Sequence, residues 1–438
     1  MQQIDTLVHA RWVVPVEPHG RVLEQHAVAV QNGRIVALLP SLRARREFRA
    51  AHEVELSSHV LIPGFVNAHG HAAMTLFRGL ADDLPLMTWL VEHIWPAEQR
   101  WVSEEFVAGG TALALAEMLR SGTTCFNDMY FFPQITGRTA AAAGMRAVVG
   151  LIVLDFPSAW AADADGYFAR AVEVYDELKG HPLVRTAFAP HAPYSVSDAP
   201  LARVRKLADE LELPVHIHLH ETRDEVVQGV GRHGMRPIAR LDRLGLVSPS
   251  LVAVHMTQLE DEEIALFAAK GAHVVHCPES NLKLASGFCP VQRLLDAGVN
   301  VALGTDGAAS NNDLDMLGEL RSAALLAKGV AGDPSAVPAA TALRMATLNG
   351  ARALGLADEV GSLLPGKEAD LVAVDLSFPE TQPVHNPISQ LVYAAGRRQV
   401  SHVWIAGRPV LLEGRLTTID LDKAREDAEA WRARIAGG

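Results

Sequence analysis

Eight short apolar runs divide the middle of this 438-residue sequence, and polar residues and then a helix-like stretch follow each of them. The runs are Leu61–Val66, Thr123–Met129, Ala147–Leu154, Val184–Ala189, Pro214–Leu219, Leu251–His255, His273–His276 and Val301–Gly304. Alternating strand and helix signals are typical of a parallel sheet. Eight units over roughly 300 residues predict a (β/α)₈ TIM-like barrel, whose usual size is about 250 residues with longer variants. Periodicity alone leaves a doubly wound open sheet as the alternative.

Side chains suited to metal binding or acid–base chemistry follow several of these runs. They are His69 and His71 after the first run, His191 after the fourth, His218 and Glu221 at the fifth, His255 closing the sixth and Asp306 after the eighth. In a barrel the carboxyl ends of all strands meet at one rim, where active sites of this fold are built. In an open sheet the first and eighth strands would lie far apart. The convergence therefore favours the closed barrel.

Both ends of the chain carry β-like segments outside this barrel. Three lie near the N-terminus, at Thr6–Val16, His26–Leu39 and Val54–Ile62, and two near the C-terminus, at Ala369–Leu376 and Val400–Leu412. Turn residues and alternating polarity in these segments are typical of a small sheet. We therefore expect the two ends of the chain to meet.

The charge balance and the cysteines limit the classes of partner. The chain has 39 Lys and Arg against 51 Asp and Glu, a formal net charge of −12, and no basic block offsets this acidity. Nucleic acid and anionic membranes are therefore poor partners, and a small molecule is expected. No apolar stretch approaches the roughly 20 residues of a membrane helix.

The three cysteines, Cys125, Cys277 and Cys289, are scattered along the chain and indicate reduced thiols in a cytoplasmic protein. The sequence leaves open whether the chain forms a homo-oligomer.

Histidines carry the strongest chemical signal. His69 and His71 are two residues apart, so on an extended strand they point to the same face and can share one ion. A His-x-His pair alone is weak evidence, but His218 and Asp306 are expected at the same rim. Three imidazole nitrogens and one carboxylate oxygen suit Zn²⁺. The neighbours of His218 on its strand, His216 and His220, are expected to support the site or to pack.

Several motifs resemble the amidohydrolase superfamily, over nearly the whole chain. They are Pro63–His71, His218–Glu221, His276–Lys283, Gly304–Gly307 and Gly366–Val372. Three further segments are similar to 5′-methylthioadenosine/S-adenosylhomocysteine deaminases, namely Phe77–Asp83, Trp95–Glu98 and Ala189–Tyr194. The resemblance implies a barrel over residues 63–363 and a small β-sandwich built from residues 1–62 and 364–438, the latter including a terminal helix.

The resemblance also assigns roles to individual residues. It implies one Zn²⁺ held by His69, His71, His218 and Asp306, with Glu221 and His255 as the catalytic pair, Glu98 on the ribose hydroxyls and His191 on the purine. Binuclear members carry a carboxylated lysine at the fourth strand, and the neighbourhood of His191 has no lysine. One ion per chain is therefore expected.

The resemblance implies hydrolytic deamination of an adenine ring, and the chemistry of these residue types allows it. Bound Zn²⁺ lowers the pKa of water toward about 7, which supplies a nucleophile for C6. Asp306 can take the water proton, Glu221 can protonate ring N1, and His255 can stabilise the developing oxyanion. Ammonia and an inosine-type product would result.

Two other functions are compatible with such a barrel. One keeps the site and changes the substrate to guanine, cytosine or a triazine, although a ribose-binding Glu98 disfavours free bases. The other is a non-catalytic scaffold, which should lack ligands that this chain retains.

The 5′ end of the nucleoside is expected to meet an apolar wall. The loop after the third strand contains Phe156 and Trp160, which could pack on a thioether methyl group, and Asp155, which would repel a carboxylate. The loop contains no arginine to pair with the carboxylate of S-adenosylhomocysteine. The alternative is that a distant residue such as Arg78 supplies the cation. We expect methylthioadenosine to be preferred, then adenosine, then S-adenosylhomocysteine.

Overall fold

A computed structural model describes residues 1–437, whose strands form two separate eight-stranded sheets. The first sheet begins with β1 (Gln2–Val13), β2 (Leu23–Gln31), β3 (Arg34–Pro40) and β4 (Phe48–Pro63). The second sheet consists of β5 (Phe65–Gly70), β6 (Thr123–Asp128), β7 (Arg146–Val153), β8 (Val184–Pro190), β9 (Val215–Leu219), β10 (Leu251–His255), β11 (His273–His276) and β12 (Asn300–Leu303). The first sheet ends with β13 (Leu371–Asp375), β14 (Val400–Ile405), β15 (Arg408–Leu412) and β16 (Arg415–Leu416).

The second sheet closes into a TIM-like barrel of parallel strands. Its first and last strands meet at a bridge between Gly70 and Asp306, where the Asp306 N–H donates to the His69 carbonyl at 3.1 Å. The side chains of Asn67 and Thr305 add a hydrogen bond of 2.7 Å across the same seam. The predicted barrel is thus confirmed, and the open-sheet alternative is wrong.

Several barrel strands form where the sequence is mostly apolar. All eight residues of β7 are buried, as expected for a parallel strand that is covered on both faces. The first predicted run, Leu61–Val66, is nevertheless wrong in its bounds, because β4 ends at Pro63 and β5 begins at Phe65. A side chain at Gly64 would lie 2.0 Å from Thr124 Oγ1, so only glycine allows the chain to pass between the two sheets here.

Helices alternate with the barrel strands and extend to the C-terminus. Those of the first half are α1 (Ser41–Glu47), α2 (Leu86–Thr88), α3 (Trp95–Trp101), α4 (Glu104–Arg120), α5 (Pro133–Ala143), α6 (Ala164–Leu178), α7 (Asp198–Leu211), α8 (Arg223–His233) and α9 (Pro237–Arg243). Those of the second half are α10 (Asp261–Lys270), α11 (Pro278–Lys283), α12 (Val291–Asp296), α13 (Met316–Ala331), α14 (Ala339–Met345), α15 (Leu348–Ala353), α16 (Pro387–Tyr393) and α17 (Leu421–Gly437). Short 3₁₀ segments lie at Ala72–Phe77, Pro379–Thr381 and Arg397–Gln399, and a π-helix at Trp89–Ile94 joins α2 to α3. No helix among residues 1–437 is both long and apolar enough to span a membrane.

The first sheet unites the two ends of the chain, as the sequence predicts. Its order is β16-β15-β14-β13-β4-β1-β2-β3, so β13 from the C-terminal end pairs with β4 from the N-terminal end. A buried ion pair joins this domain to the barrel. Arg146, the first residue of β7, donates two hydrogen bonds of 3.1 Å to the Asp370 carboxylate. Asp370 also accepts from the Ala406 N–H at 2.8 Å, so the buried charges are paired and hydrogen-bonded.

Candidate active site

Four side chains that could bind a metal ion meet at the carboxyl-terminal rim of the barrel. His69 lies near the end of β5, His71 follows that strand, His218 lies in β9 and Asp306 follows β12. Their ligand atoms all lie within 4.8 Å of one another. The structure therefore brings together the four residues to which the sequence resemblance assigns one ion.

The distances from Asp306 to two of these imidazole nitrogens are compatible with one shared ion. Asp306 Oδ1 lies 3.1 Å from Nε2 of His69 and 3.1 Å from Nε2 of His71. Two atoms that each lie about 2.1 Å from a tetrahedral ion are about 3.4 Å apart. Nitrogen from imidazole and oxygen from carboxylate are ligands that Zn²⁺ accepts. The residues present thus fit a zinc ion.

Backbone carbonyls orient two of the imidazole rings. Nδ1 of His71 lies 2.5 Å from the Met129 carbonyl oxygen, and Nδ1 of His218 lies 2.8 Å from the His191 carbonyl oxygen. A carbonyl oxygen accepts only, so each Nδ1 carries the proton and donates it. In the neutral form of each ring the lone pair is therefore on Nε2, which is what a metal ligand requires.

The other two histidines of β9 have different surroundings. Nε2 of His216 lies 2.9 Å from Nδ1 of His69, and Asn127 holds the far side of His216 at 3.1 Å. His216 thus supports the His69 ring, as expected from the sequence. His220 instead lies with its Nδ1 3.0 Å from the Gln258 carbonyl oxygen, outside the group of four.

The electrostatics of the site favour a cation beside Asp306. Burial opposes the charged form of His71, but the hydrogen bond and charge of Asp306 outweigh it and raise the pKa of His71 to about 9. Burial also opposes the Asp306 carboxylate, yet the neighbouring imidazoles hold its pKa well below the usual range. Burial lowers the pKa of His69 to about 4 and that of His218 well below its usual value. These two rings are therefore neutral, as ligands must be.

Several non-glycine residues at the ends of barrel strands have positive φ, including His220 at 51° and Met256 at 50°. Asp306 has φ of 62° and His255 has φ of 74°. Such conformations cost of order 1–3 kcal/mol and persist where the surroundings impose them, commonly at functional sites. Two of these residues, Asp306 and His255, are ones that the sequence predicts to be functional.

Glu221 and His255 face each other beside the four ligands. Oε2 of Glu221 lies 3.8 Å from Nε2 of His255, and the Ser286 hydroxyl donates to Oε1 of Glu221 at 3.3 Å. Burial raises the pKa of Glu221, with the His255 charge opposing the shift. A carboxyl group with a raised pKa is suited to general acid–base catalysis near neutral pH.

These groups line one end of a cavity of about 300 Å³. His71, His218, Glu221, His255 and Asp306 line it together with Glu98 and His191. Burial raises the pKa of Glu98 to about 7, and the neighbouring Tyr130 hydroxyl opposes the shift. Burial lowers the pKa of His191 to about 3, so this ring is neutral at physiological pH. Seven of the eight predicted site residues thus line one cavity, and the eighth, His69, is fully buried with its Nε2 3.1 Å from Asp306.

The rest of the cavity wall is largely apolar. Trp95 and Phe156 lie on it with ring centroids 5.9 Å apart. Trp160 was expected on this wall, and that expectation is wrong. It is 1% exposed, does not line the cavity and packs against Tyr167 with centroids 5.8 Å apart. Its indole ring belongs to the main hydrophobic core, where burial of a large aromatic surface is favourable.

Neither charged residue considered for the 5′ end lines the cavity. The Asp155 carboxylate accepts from the Ser197 N–H at 2.8 Å. Arg78 pairs with Glu117 at 2.5 Å and donates to the Asn312 carbonyl. Among residues 1–437, the side chains that line the cavity include no lysine or arginine.

Comparison with known proteins identifies the family. The model of the amidohydrolase family matches residues 60–410. The chain belongs to the amidohydrolase family. It is 50% identical over 432 residues to a 5-methylthioadenosine/S-adenosylhomocysteine deaminase of Teredinibacter turnerae, and the alignment covers 99% of this chain and 98% of that protein. A similar relative from Saccharophagus degradans is 48% identical and covers 98% of this chain and 97% of that protein.

Solved structures of the amidohydrolase fold superpose closely on this chain. An adenosine deaminase from Xanthomonas campestris with bound zinc has a TM-score of 0.99 and 58% identity, with full coverage of both chains. An atrazine chlorohydrolase from Arthrobacter aurescens complexed with zinc has a TM-score of 0.90 at 23% identity and covers 98% of this chain and 100% of that chain. At that identity the second structure supports the fold alone.

Sequence reasoning missed several polar residues that support this amidohydrolase site. Ser280 and Ser310 both donate to Oδ2 of Asp306 at 2.7 Å, and Asn281 lies 2.8 Å from His255. Single serines and asparagines carry no distinctive spacing. The segment His276–Lys283, noted only for its family resemblance, contained the available signal for two of them.

A second cluster of potential ligands lies on the first sheet, among the described residues, and has another explanation. His9, Glu53 and Glu55 place their ligand atoms close together. Arg45 already pairs with both glutamates, with 2.5 Å to Glu53. Their negative charge is therefore compensated by a side chain, and we assign no ion to this cluster.

We expect one tightly held divalent ion per chain, because the four ligands form one set and β8 contains no lysine to bridge a second ion. Elemental analysis of the purified protein after dialysis checks this number. Two ions per chain would contradict it.

Proposed function

We propose that this chain catalyses the zinc-dependent hydrolytic deamination of the adenine ring of 5′-methylthioadenosine and related nucleosides, releasing ammonia and an inosine-type product. One observation carries the proposal: three of the four potential ligands, the Glu221–His255 pair and Glu98 line a single cavity, and the fourth ligand, His69, is buried beside Asp306. The names of the relatives that are 48–50% identical over almost the whole chain support the same activity.

His69, His71, His218 and Asp306 would hold the ion. A divalent ion there supplies Lewis acidity and makes water nucleophilic near neutral pH. Glu221, whose pKa is raised by burial, gives a proton to N1 of the ring, which breaks its aromaticity as C6 is attacked. His255 lies 3.8 Å from Glu221 and stabilises the charge that develops at C6. Asp306 would accept the proton from water and pass it to the C6 amino group, which leaves as ammonia, while Glu221 would regain a proton from the new C6 hydroxyl.

Glu98 and His191 would bind the nucleoside. A carboxylate accepts two hydroxyl hydrogen bonds, so Glu98 is suited to a ribose diol. His191 is neutral, and the Ser195 hydroxyl, 2.9 Å from its Nδ1, orients its ring toward the purine. These contacts favour a nucleoside over a free base or a triazine, which lack the diol.

The 5′ substituent is expected to be uncharged. An amino-acid carboxylate in the apolar part of the cavity would find no lysine or arginine among the described lining residues, and burying an unpaired charge is costly. A methylthio group would instead pack on rings such as Phe156 and Trp95.

We therefore expect kcat/KM to decrease from methylthioadenosine to adenosine to S-adenosylhomocysteine. Ammonia release measured for these three nucleosides, together with guanine and cytosine, tests both the activity and the order. A value for S-adenosylhomocysteine equal to that for methylthioadenosine would contradict the order. Activity confined to guanine or cytosine would overturn the proposed function.

Binding of the ribose should depend on pH through Glu98. The ionised carboxylate accepts the hydroxyl hydrogen bonds, and burial raises the pKa of Glu98 to about 7. Protonation below that pH removes one acceptor, so KM for the nucleoside should rise as pH falls below about 7. Steady-state kinetics across neutral pH measure the trend. Glu98→Gln should flatten this profile, and inhibition by free adenine, which has no ribose, should not follow it. A steep dependence retained in Glu98→Gln would contradict the assignment.

We also propose a reducing compartment for this reaction. Cys125, Cys277 and Cys289 are unpaired and buried, which supports a reducing compartment such as the cytoplasm. The homo-oligomer considered from the sequence stays a prediction, and size-exclusion chromatography with light scattering would test it.

A further inference from the structure

The short helix α11 places two adjacent buried side chains behind two different functional groups. Ser280 is 0% exposed and Asn281 is 1% exposed, and both come directly after the seventh barrel strand. Ser280 contacts Asp306, whereas Asn281 contacts His255. Adjacent residues on a helix point in directions about 100° apart, so one turn can reach both groups.

Ser280 controls how the Asp306 carboxylate is rotated. Its hydroxyl donates to Oδ2 at 2.7 Å, and the hydroxyl of Ser310 donates to the same oxygen at 2.7 Å. Oδ1 is left facing Nε2 of His69 and His71, at 3.1 Å from each. With both lone pairs of Oδ2 occupied, Oδ1 is the oxygen presented to the ion, and its second lone pair stays available to accept a proton.

Asn281 controls the tautomer and the rotation of the His255 ring. Its Oδ1 lies 2.8 Å from Nδ1 of His255. An amide oxygen accepts only, so Nδ1 of His255 carries a proton and donates it. Nε2 is then directed toward Glu221, 3.8 Å away.

The helix itself is held firmly enough to serve this purpose. The Asn281 N–H donates to the Cys277 carbonyl at 3.0 Å, and the Ser286 N–H donates to the Asn281 carbonyl at 3.0 Å. On the opposite side the Ser322 hydroxyl of α13 donates to the Glu279 carboxylate at 2.7 Å. Contacts at both ends and on its outer face therefore fix the turn.

We propose that Ser280 and Asn281 are positioning residues with separate tasks: Ser280 orients Asp306 for ion binding, and Asn281 orients His255 for turnover. The part concerning His255 rests on the proposed function. Substituting a residue that orients a metal ligand typically costs about 10–100-fold in metal affinity or activity. The two substitutions should therefore affect different measurements.

Ser280→Ala should raise the Kd for Zn²⁺, measured by competition with a chelator, by about 10–100-fold. Ser280→Thr retains a hydroxyl and should restore most of the affinity. Ser121→Ala is a matched control, because Ser121 is equally buried and donates only to backbone carbonyls, at 3.0 Å to Met118 and 3.3 Å to Leu314. A Kd for Ser280→Ala within threefold of that control would overturn the assignment, whatever the substrate.

Asn281→Leu should lower kcat of the zinc-loaded enzyme by about 10–100-fold with little change in KM or in the Kd for Zn²⁺. Asn281→Asp retains the acceptor and should recover most of the rate. NMR of ¹⁵N-histidine-labelled holoenzyme should show a slowly exchanging Nδ1 proton on His255, assigned by its loss in His255→Gln, and Asn281→Leu should abolish it.

An unchanged proton signal in Asn281→Leu, or a Kd for Zn²⁺ that rises as much as in Ser280→Ala, would overturn the separation of tasks. The NMR and affinity measurements need no substrate. If wild-type protein failed to deaminate any adenine nucleoside, the proposed function would fail, while these two measurements would still decide whether the positioning is correct.

Discussion

Replacing either His69 or His218 with alanine is expected to remove the ion and turnover together. The four ligand atoms form one set within 4.8 Å, and the set has no spare member among residues 1–437 that could replace a lost imidazole. Lewis-acid stabilisation is worth several kcal/mol, so its loss should cost at least about 10³-fold in rate. Zinc content per chain and ammonia release, measured on the same preparation, check both effects.

His220→Ala is the matched control for this experiment. His220 belongs to the same run of histidines as His218, yet its Nδ1 lies 3.0 Å from the Gln258 carbonyl oxygen and its Nε2 accepts from the Ile238 N–H at 3.3 Å. This variant should be less stable to heat but should keep one zinc per chain. If His69→Ala retained stoichiometric zinc, or if His220→Ala lost it, the assignment of ligands would be wrong.

The barrel and the grouping of its functional side chains could be predicted because both depend on patterns that survive in one sequence. Buried parallel strands such as β7 are mostly apolar, and polar residues such as His191 and Glu221 mark the ends of strands. Closure of the sheet could be predicted because, of the two topologies considered, only the barrel brings the first and last strand ends together. The bridge between Gly70 and Asp306 is the physical form of that closure.

Other features depend on three-dimensional packing that no local pattern encodes. The break at Gly64 arises from the close approach of Thr124, which is distant in sequence. Trp160 resembles a pocket aromatic in sequence, but the structure places it in the core against Tyr167. The role of Glu98 could be predicted only from the family resemblance, because Glu98 lies on α3 and not at the end of a strand.

Glu221→Gln is expected to keep the ion and the fold but to lose turnover. Glutamine has nearly the same shape as glutamate and cannot carry a proton at this position. General acid–base catalysis typically contributes about 10²–10⁴-fold, and we expect kcat to fall within that range. KM should change little, because Glu98 and His191 would still bind the nucleoside. Steady-state ammonia release at saturating methylthioadenosine measures the effect.

The competing explanation for Glu221, that it caps the helix after β9, makes the opposite prediction. If Glu221 were a cap, Glu221→Gln would remove it, which would lower the free energy of unfolding by about 1 kcal/mol and leave the rate normal. The structure gives this role to Thr222, whose hydroxyl accepts from the Glu225 N–H at 3.2 Å at the start of α8. Thr222→Ala should therefore lower the unfolding temperature while retaining turnover, and Glu221→Gln should do the reverse. A loss of rate below tenfold in Glu221→Gln, with zinc content unchanged, would show that another group carries the proton.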